Sequence, residues 1–283
     1  MNLRKSQLPA GWYPRTPTEI EAFLKSRSGK PGAGAAVAPH AGWYYSGRIA
    51  AEAVSALLSG GQKPDTVIII GGHLPEGCPP LLAMEDGVQS PLGTMMMDRE
   101  FRECLSGKID GRPDIYRDNT VEVLLPMVHY FFPDAGLVWL RLPAERRSYD
   151  TGVELATLGL SLGRKLAVLG STDLTHYGFN YGFSPRGGGQ KALDWVRQVN
   201  DSSFIEAVKT GDPALVFERA EADKSACSVG AVLAVLGYAR GMGLGNAELL
   251  AYATSAEAGG STEIPDSFVG YGAFAWYPAE GGA

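Results

Sequence analysis

The chain holds four histidines, His40, His73, His129 and His176, and three of them come just after apolar runs of strand character. His40 follows Gly34-Ala35-Ala36-Val37-Ala38-Pro39, His73 follows Val67-Ile68-Ile69-Ile70-Gly71-Gly72, and His176 lies just beyond Ala167-Val168-Leu169-Gly170-Ser171-Thr172-Asp173. Open α/β sheets bind ligands beyond the carboxyl ends of their strands, so three strands are expected to deliver imidazoles to one crevice. Taken singly, each histidine is as well explained as a capping or packing residue. Their shared position after strands favours a common site. Asp173 and His176 are close enough for the carboxylate to orient the ring, either as a general acid/base pair or as a ligand with its outer partner; Asp173 is equally placed to be a helix N-cap. Gly71-Gly72 is expected to let the backbone turn sharply and to leave room for a ligand. Cys227 opens the apolar helix Ala226-Cys227-Ser228-Val229-Gly230-Ala231-Val232-Leu233. A thiol in a first helical turn has a lowered pKa and suits metal binding or nucleophilic attack. The competing reading is a buried small hydrophobe, the usual fate of a free cysteine.

The elements that must position these groups are read from periodicity. Short apolar runs bounded by Gly, Pro or polar residues predict strands at Ala33 to Ala38, Thr66 to Ile70, Leu137 to Leu142, Lys165 to Leu169 and Glu248 to Thr254, with an aromatic, Gly-rich one at Phe268 to Tyr277. Helical patterns lie between them at Thr18 to Ser26, Gly47 to Leu58, Thr151 to Leu162, Lys191 to Thr210 and Cys227 to Arg240. Thr16-Pro17-Thr18-Glu19 reads as a helix N-terminus. The alternation predicts one α/β domain over residues 1–283, with a central mostly parallel or mixed sheet and helices on both faces. Cys78 to Thr94 is expected to form a short hairpin, and Ser184-Pro185-Arg186-Gly187-Gly188-Gly189 a loop.

Composition narrows the classes. A net charge of −6 argues against nucleic acid as a main partner. Three cysteines, Cys78, Cys104 and Cys227, do not make a disulfide framework and fit reduced thiols in a cytoplasmic protein. The opening residues lack the apolar core of a signal peptide, and no run reaches the roughly 18 apolar residues of a membrane span. Gly32-Ala33-Gly34 precedes a strand instead of following one, so it is not a dinucleotide fingerprint. The Gly-x-Ser-x-Gly elbow of serine hydrolases is absent, although Ser46 and Ser171 lie near candidate bases.

Several segments together resemble the Memo-like family, of the AmmeMemoRadiSam system protein B type. Ala38-Pro39-His40-Ala41-Gly42-Trp43-Tyr44-Tyr45-Ser46-Gly47 is similar to its first motif, Ser90-Pro91-Leu92-Gly93 with Asp98 to its Thr-Pro-Leu-Gly segment, and Ser171 through Gly178 to its Ser-Ser-Asp-x-x-His-Tyr-Gly motif. Ala10-Gly11-Trp12-Tyr13-Pro14, Tyr252-Ala253-Thr254-Ser255 and Val269-Gly270-Tyr271 also resemble family segments, in the family's order. The resemblance implies the fold of class III extradiol dioxygenases. It implies an iron- or copper-binding site made of His40, His73 and Cys227, with Asp173 and His176 beside it as the acid/base pair. It also implies association with radical SAM and AMMECR1-like proteins. The sequence departs from the family at Gly71-Gly72-His73-Leu74, where Gly-Pro-x-His-His is usual. It departs at Asn119, where Glu-His-Ser-x-Glu would put a histidine, and at Ser228, where Gly is usual.

Three functions follow as expectations. The first is a metal-dependent, dioxygenase- or oxidase-like oxidoreductase with Fe(II) or copper on His40, His73 and Cys227, because two imidazoles and one anionic ligand leave coordination positions open. The second is a binding or scaffold protein that takes a small molecule or peptide in the same cleft, lined by Trp43, Tyr44, Tyr45, Asn119 and Tyr177; the aromatics among these are equally suited to a core. The third is a metal-free cysteine hydrolase using Cys227, His176 and Asp173.

Overall fold

A computed structural model describes residues 1–25, 29–58, 63–260 and 263–279. Among these, nine strands form one mixed sheet. Its centre is parallel: Ala35–Ala38 pairs with Leu166–Ser171, which pairs with Thr66–Leu74, which pairs with Gly136–Pro143. Ser267–Pro278 lies antiparallel to Ala35–Ala38, and it also pairs antiparallel with Leu244–Thr254 and with the short His176–Gly178 strand. At the far edge, Leu81–Leu82 runs antiparallel to Gly136–Pro143 and carries Arg112–Pro113. The expected α/β sheet is therefore present, parallel at its centre and antiparallel at its margins.

The central strands are nearly continuous apolar runs because both faces are covered, as buried parallel strands require. Side chains alternate between two cores. Ala36, Ala38, Val67, Ile69, Leu137 and Leu169 point to one, closed by helices Pro17–Leu24, Trp43–Ala56 and Leu125–Phe131. Ala35, Val37, Ile68, Ile70, Val138 and Val168 point to the other, closed by Ser148–Ser161, Asp201–Thr210 and Val229–Gly241. Each fully buried isoleucine of the 68–70 run contributes about 2 kcal/mol of transfer energy. Thr16 caps the first helix with a reciprocal Glu19 contact, as its sequence predicts. The expected end of that helix at Ser26 lies outside the described residues.

Several elements differ from expectation. The hairpin is Gly87–Ser90 with Gly93–Met96, joined by Leu3–Arg4 in a separate three-stranded sheet, while Leu81–Leu82 goes to the main sheet. The Lys191 to Thr210 helix is broken into Gln190–Trp195, a π turn at Val196–Asn200 and Asp201–Thr210. The wider turn puts the consecutive side chains of Asn200 and Asp201 both on Thr175. Helices Arg99–Ile109 and Pro213–Asp223 are further elements, each started by an aspartate N-cap. No helix of the described residues is long and apolar enough to cross a membrane.

Candidate functional site

Three adjacent parallel strands end at the same edge of the sheet, and the site is built there. His40 comes two residues after Ala35–Ala38, Ser171 ends the next strand and Asp173 follows it, and His73 sits in the last turn of Thr66–Leu74. Two strand spacings separate the His40 and His73 backbones, about 10 Å, and the imidazoles close that gap. Their rings meet edge to face with centroids 4.9 Å apart. Ligand atoms of His40, His73 and Cys227 all lie within 4.8 Å of one another. His73 adopts φ 56°, a left-handed conformation that costs a non-glycine residue about 1 kcal/mol and is concentrated at functional sites.

Each ring is held by its other nitrogen. His40 Nδ1 is 2.8 Å from Ser171 Oγ, and its Nε2 is 3.2 Å from Cys227 Sγ. His73 Nδ1 is 3.0 Å from Asp118 Oδ2. Asp118 in turn accepts from the Thr120 amide and hydroxyl and pairs with Arg141 at 3.2 Å. Burial opposes ionisation of Asp118, but the bonds from His73 and Thr120 and the Arg141 charge outweigh it and hold the carboxyl well below its usual range. The same burial pulls His73 down, and the hydrogen bonds and charges of Asp118 and Cys227 reverse this and lift it to about 10. The sulfur also accepts from the Asp173 amide at 3.3 Å. Burial raises the Cys227 thiol, yet the charge and hydrogen bond of His40, with His73 beside it, bring it to about 6. The sulfur is therefore a thiolate near neutrality, and both imidazoles present a nitrogen to it.

Cys227 does not open the helix. The helix runs Val229–Gly241 with Ser228 as N-cap, and Cys227 sits just before it, its amide donating to the Asp173 carbonyl at 3.2 Å. The low thiol pKa thus comes from two histidines and not from a first-turn position. Gly71 and Gly72 also differ from expectation, because they admit neighbouring protein and not ligand. A Cβ at Gly71 would stand 2.1 Å from Thr120 Oγ1, and one at Gly72 would stand 2.5 Å from Ser228.

Asp173 and His176 line the same cleft of about 910 Å³ as His40 and His73. Asp173 does not hydrogen-bond the His176 ring. Its Oδ1 accepts from the His40 amide at 2.7 Å, and its Oδ2 is 3.9 Å from His40 Nε2. Burial raises its pKa against the charges of His176 and His73. His176 is oriented instead by the Leu174 carbonyl, 3.2 Å from its Nδ1, and by the edge of Tyr181 at 4.9 Å. His176 pairs with Val269 in the sheet, and it acts on Asp173 through charge and not through a hydrogen bond.

Of the residues expected to line a ligand pocket, Tyr44, Tyr45 and Asn119 do so. Asn119 donates from Nδ2 to the His40 carbonyl at 3.0 Å, fixing the loop that presents His40. Trp43 and Tyr177 do not. Trp43 is 4% exposed, packs tilted against Phe23 and donates its indole N–H to the Val123 carbonyl; Tyr177 is 1% exposed against Phe268. Both are core residues, placed there by helical rotation in one case and strand alternation in the other. The contributions of Asp118, Tyr181 and Tyr271 are visible only in three dimensions. His129 lies away from the cleft, bonded to Ser90 Oγ.

The sequence profile of the Memo-like protein family matches residues 4–275. A "MEMO1 family protein" of Pyrococcus abyssi is 33% identical over 249 residues, covering 84% of this chain and 84% of that protein. One from Pyrobaculum arsenaticum is 32% identical over 245 residues, 83% of this chain and 80% of the relative. One from Methanosarcina barkeri is 30% identical over 283 residues, 96% of this chain and 98% of the relative. With a match over nearly its whole length, this chain belongs to the Memo-like protein family.

Proposed function

We propose that this protein is a metal-dependent redox protein that binds Fe(II) or copper through His40, His73 and Cys227. The observation that supports it is the convergence of two imidazole nitrogens and a thiolate within 4.8 Å from three distant chain segments. Nitrogen and sulfur ligands bind a metal at about 2.0–2.3 Å, so a small inward adjustment of the three side chains suffices. The donor set fits: each histidine has a fixed outer hydrogen bond that aims its remaining nitrogen inward, and a thiolate favours copper or iron over hard cations. The metal supplies electron transfer, which no side chain here provides.

The remaining groups are the chain's own part. His176, with Nδ1 on the Leu174 carbonyl, leaves Nε2 to take up or release a proton in the cleft. Asp173 keeps the His40 backbone in place through the amide bond, and its other oxygen lies 3.9 Å from His40 Nε2. Asn119 fixes the same loop from the other side. The test is dioxygen consumption by Fe(II)-loaded protein with catechol-like compounds. His176→Ala is expected to retain metal and lose most turnover. Full turnover in that variant would remove His176 from the proton path.

A second reading, a metal-free thiolate nucleophile, is favoured by the 3.2 Å contact of Cys227 Sγ with His40 Nε2. Here the partner of the sulfur is His40, not His176. Alkylation of Cys227 in metal-free protein, mapped by mass spectrometry, should then show a midpoint at about pH 6. Hydrolysis of activated esters that survives chelation would support this reading over the first.

A further inference from the structure

The lining of the cleft has a chemical bias that the metal ligands do not explain. Four tyrosines face it, Tyr44, Tyr45, Tyr181 and Tyr271. Tyr44 and Tyr45 stand edge to face at 4.9 Å in the first turn of their helix, 67% and 52% exposed. Tyr181 stands edge to face over His176 at 4.9 Å and is 46% exposed. Tyr271 lies at the base of the cleft, buried in its strand. Burial and then the Asp173 carboxylate raise the phenols of both Tyr181 and Tyr271, so these rings stay neutral and lie close to that carboxylate.

The charges run one way. Asp173 and Glu263 line the cleft, and among its described residues there is no lysine or arginine. The His73 ring is held from behind by the Asp118 carboxylate at 3.0 Å. An anionic ligand would meet carboxylates and the negative faces of aromatic rings with no lysine or arginine of the described lining to receive it. An organic cation would meet the opposite: the ring quadrupole attracts ammonium groups, most strongly where several rings surround one desolvated site.

We infer that the cleft binds an organic cation, an alkylammonium or quaternary ammonium compound, with its charged nitrogen among Tyr44, Tyr45 and Tyr181 and its remainder directed toward the His40–His73–Cys227 cluster. This names the ligand class for the cleft and rests on the proposed function only in taking that cluster as the destination. The tyrosines themselves are not metal ligands.

Three probes of one shape and different charge test it: choline, its neutral isostere 3,3-dimethylbutan-1-ol, and the anion 3,3-dimethylbutanoate. Affinities are measured by calorimetry or ligand-observed NMR on chelator-treated full-length protein near neutral pH, so that no metal charge enters. Choline is expected to bind on the order of tenfold more tightly than the alcohol, with the anion weakest. Tyr181→Leu and Tyr45→Leu, both at exposed positions, are expected to abolish most of that preference, whereas Tyr181→Phe, which retains the ring, preserves it. Equal binding of choline and the alcohol, tighter binding of the anion, no binding of any probe, or a preference unchanged in the leucine variants would overturn the inference. Metal titration of the same samples separates the two ideas. Choline preference without metal binding retains this inference and removes the proposed function; metal binding without choline preference does the reverse.

Discussion

Two clusters of buried polar groups sit within a few residues of each other and behave oppositely. Around Glu122, every acceptor is used inside the protein: the carboxylate accepts from Ser6 Oγ, the amides of Gln7 and Leu8, and the Tyr13 hydroxyl, all between 2.8 and 3.0 Å. That knot straps the N-terminal segment to the body of the fold. Four residues earlier, Asp118 serves His73, and there the chain of bonds ends with an imidazole turned to Cys227 and an open cleft. Arg141 backs this second cluster, bonding the Gly72 carbonyl and pairing with Asp114 and Asp118. Burial and charge alone therefore do not identify a site. A structural cluster closes on itself, while this one is held from behind and leaves its ligand atoms facing one another.

That contrast can be broken or sharpened by substitution. The largest effect is expected from Glu122→Ala, which leaves two buried donors, the Leu8 amide and the Tyr13 hydroxyl, without this acceptor and should cost about 4 kcal/mol of stability, read by denaturant unfolding. Metal affinity of the folded protein should remain near wild type; a matching collapse of affinity would merge the two regions into one unit.

A second knot gives a pH signature. Asp201 is buried, accepts from Thr175 and Tyr252, and burial outweighs those bonds to push its carboxyl up to about 6. Between the ordinary aspartate value and this one, the folded state holds a proton that the unfolded state has released. Stability from this group is thus complete below about pH 4 and lost as pH rises through 6, amounting to about 3 kcal/mol. Asp201→Asn should remove this slope, so that the difference in unfolding free energy from wild type moves in the variant's favour as pH climbs from 4 to 7. Parallel curves would mean that Asp201 is charged in the fold.

Smaller effects belong to the cleft. Asp118→Asn leaves His73 without its anionic partner and should weaken metal binding by about 10- to 100-fold while costing less stability than Glu122→Ala. Smallest of all, Asn119→Ala frees one carbonyl on the His40 loop and should cost about 1 kcal/mol or less, with a modest drop in metal affinity. A larger loss there would make Asn119 part of the site and not a brace for it.

Much of this arrangement was legible in the sequence, for identifiable reasons. The central strands are apolar on both faces and punctuated by Gly and Pro, so they read clearly, and a histidine at or just past the end of three of them marks the edge where ligands bind. The polar helix Arg99–Ile109 carries only a narrow apolar face and did not stand out. Asp118 was hidden because its bond to His73 spans 45 residues and because it doubles as the N-cap of Asn119–Glu122. Adjacent aromatics could not be sorted without the helix: one residue of rotation sends Trp43 into the core and Tyr44 to the cleft. The lowered pKa expected for Cys227 is present, but its cause is two histidines brought from elsewhere in the chain, which no local pattern encodes.

The central claim is that His40, His73 and Cys227 form one metal site while contributing little to the fold. Anaerobic titration of wild type and Cys227→Ser with Fe(II), Cu(I) and Zn(II), alongside thermal unfolding of the metal-free proteins, tests it most directly. The account predicts binding in the wild type with iron or copper preferred, and a loss of about 100-fold or more in the variant, most severe for Cu(I) because the soft ligand is gone, with nearly unchanged metal-free stability. Equal affinity of the two proteins for every metal would contradict it.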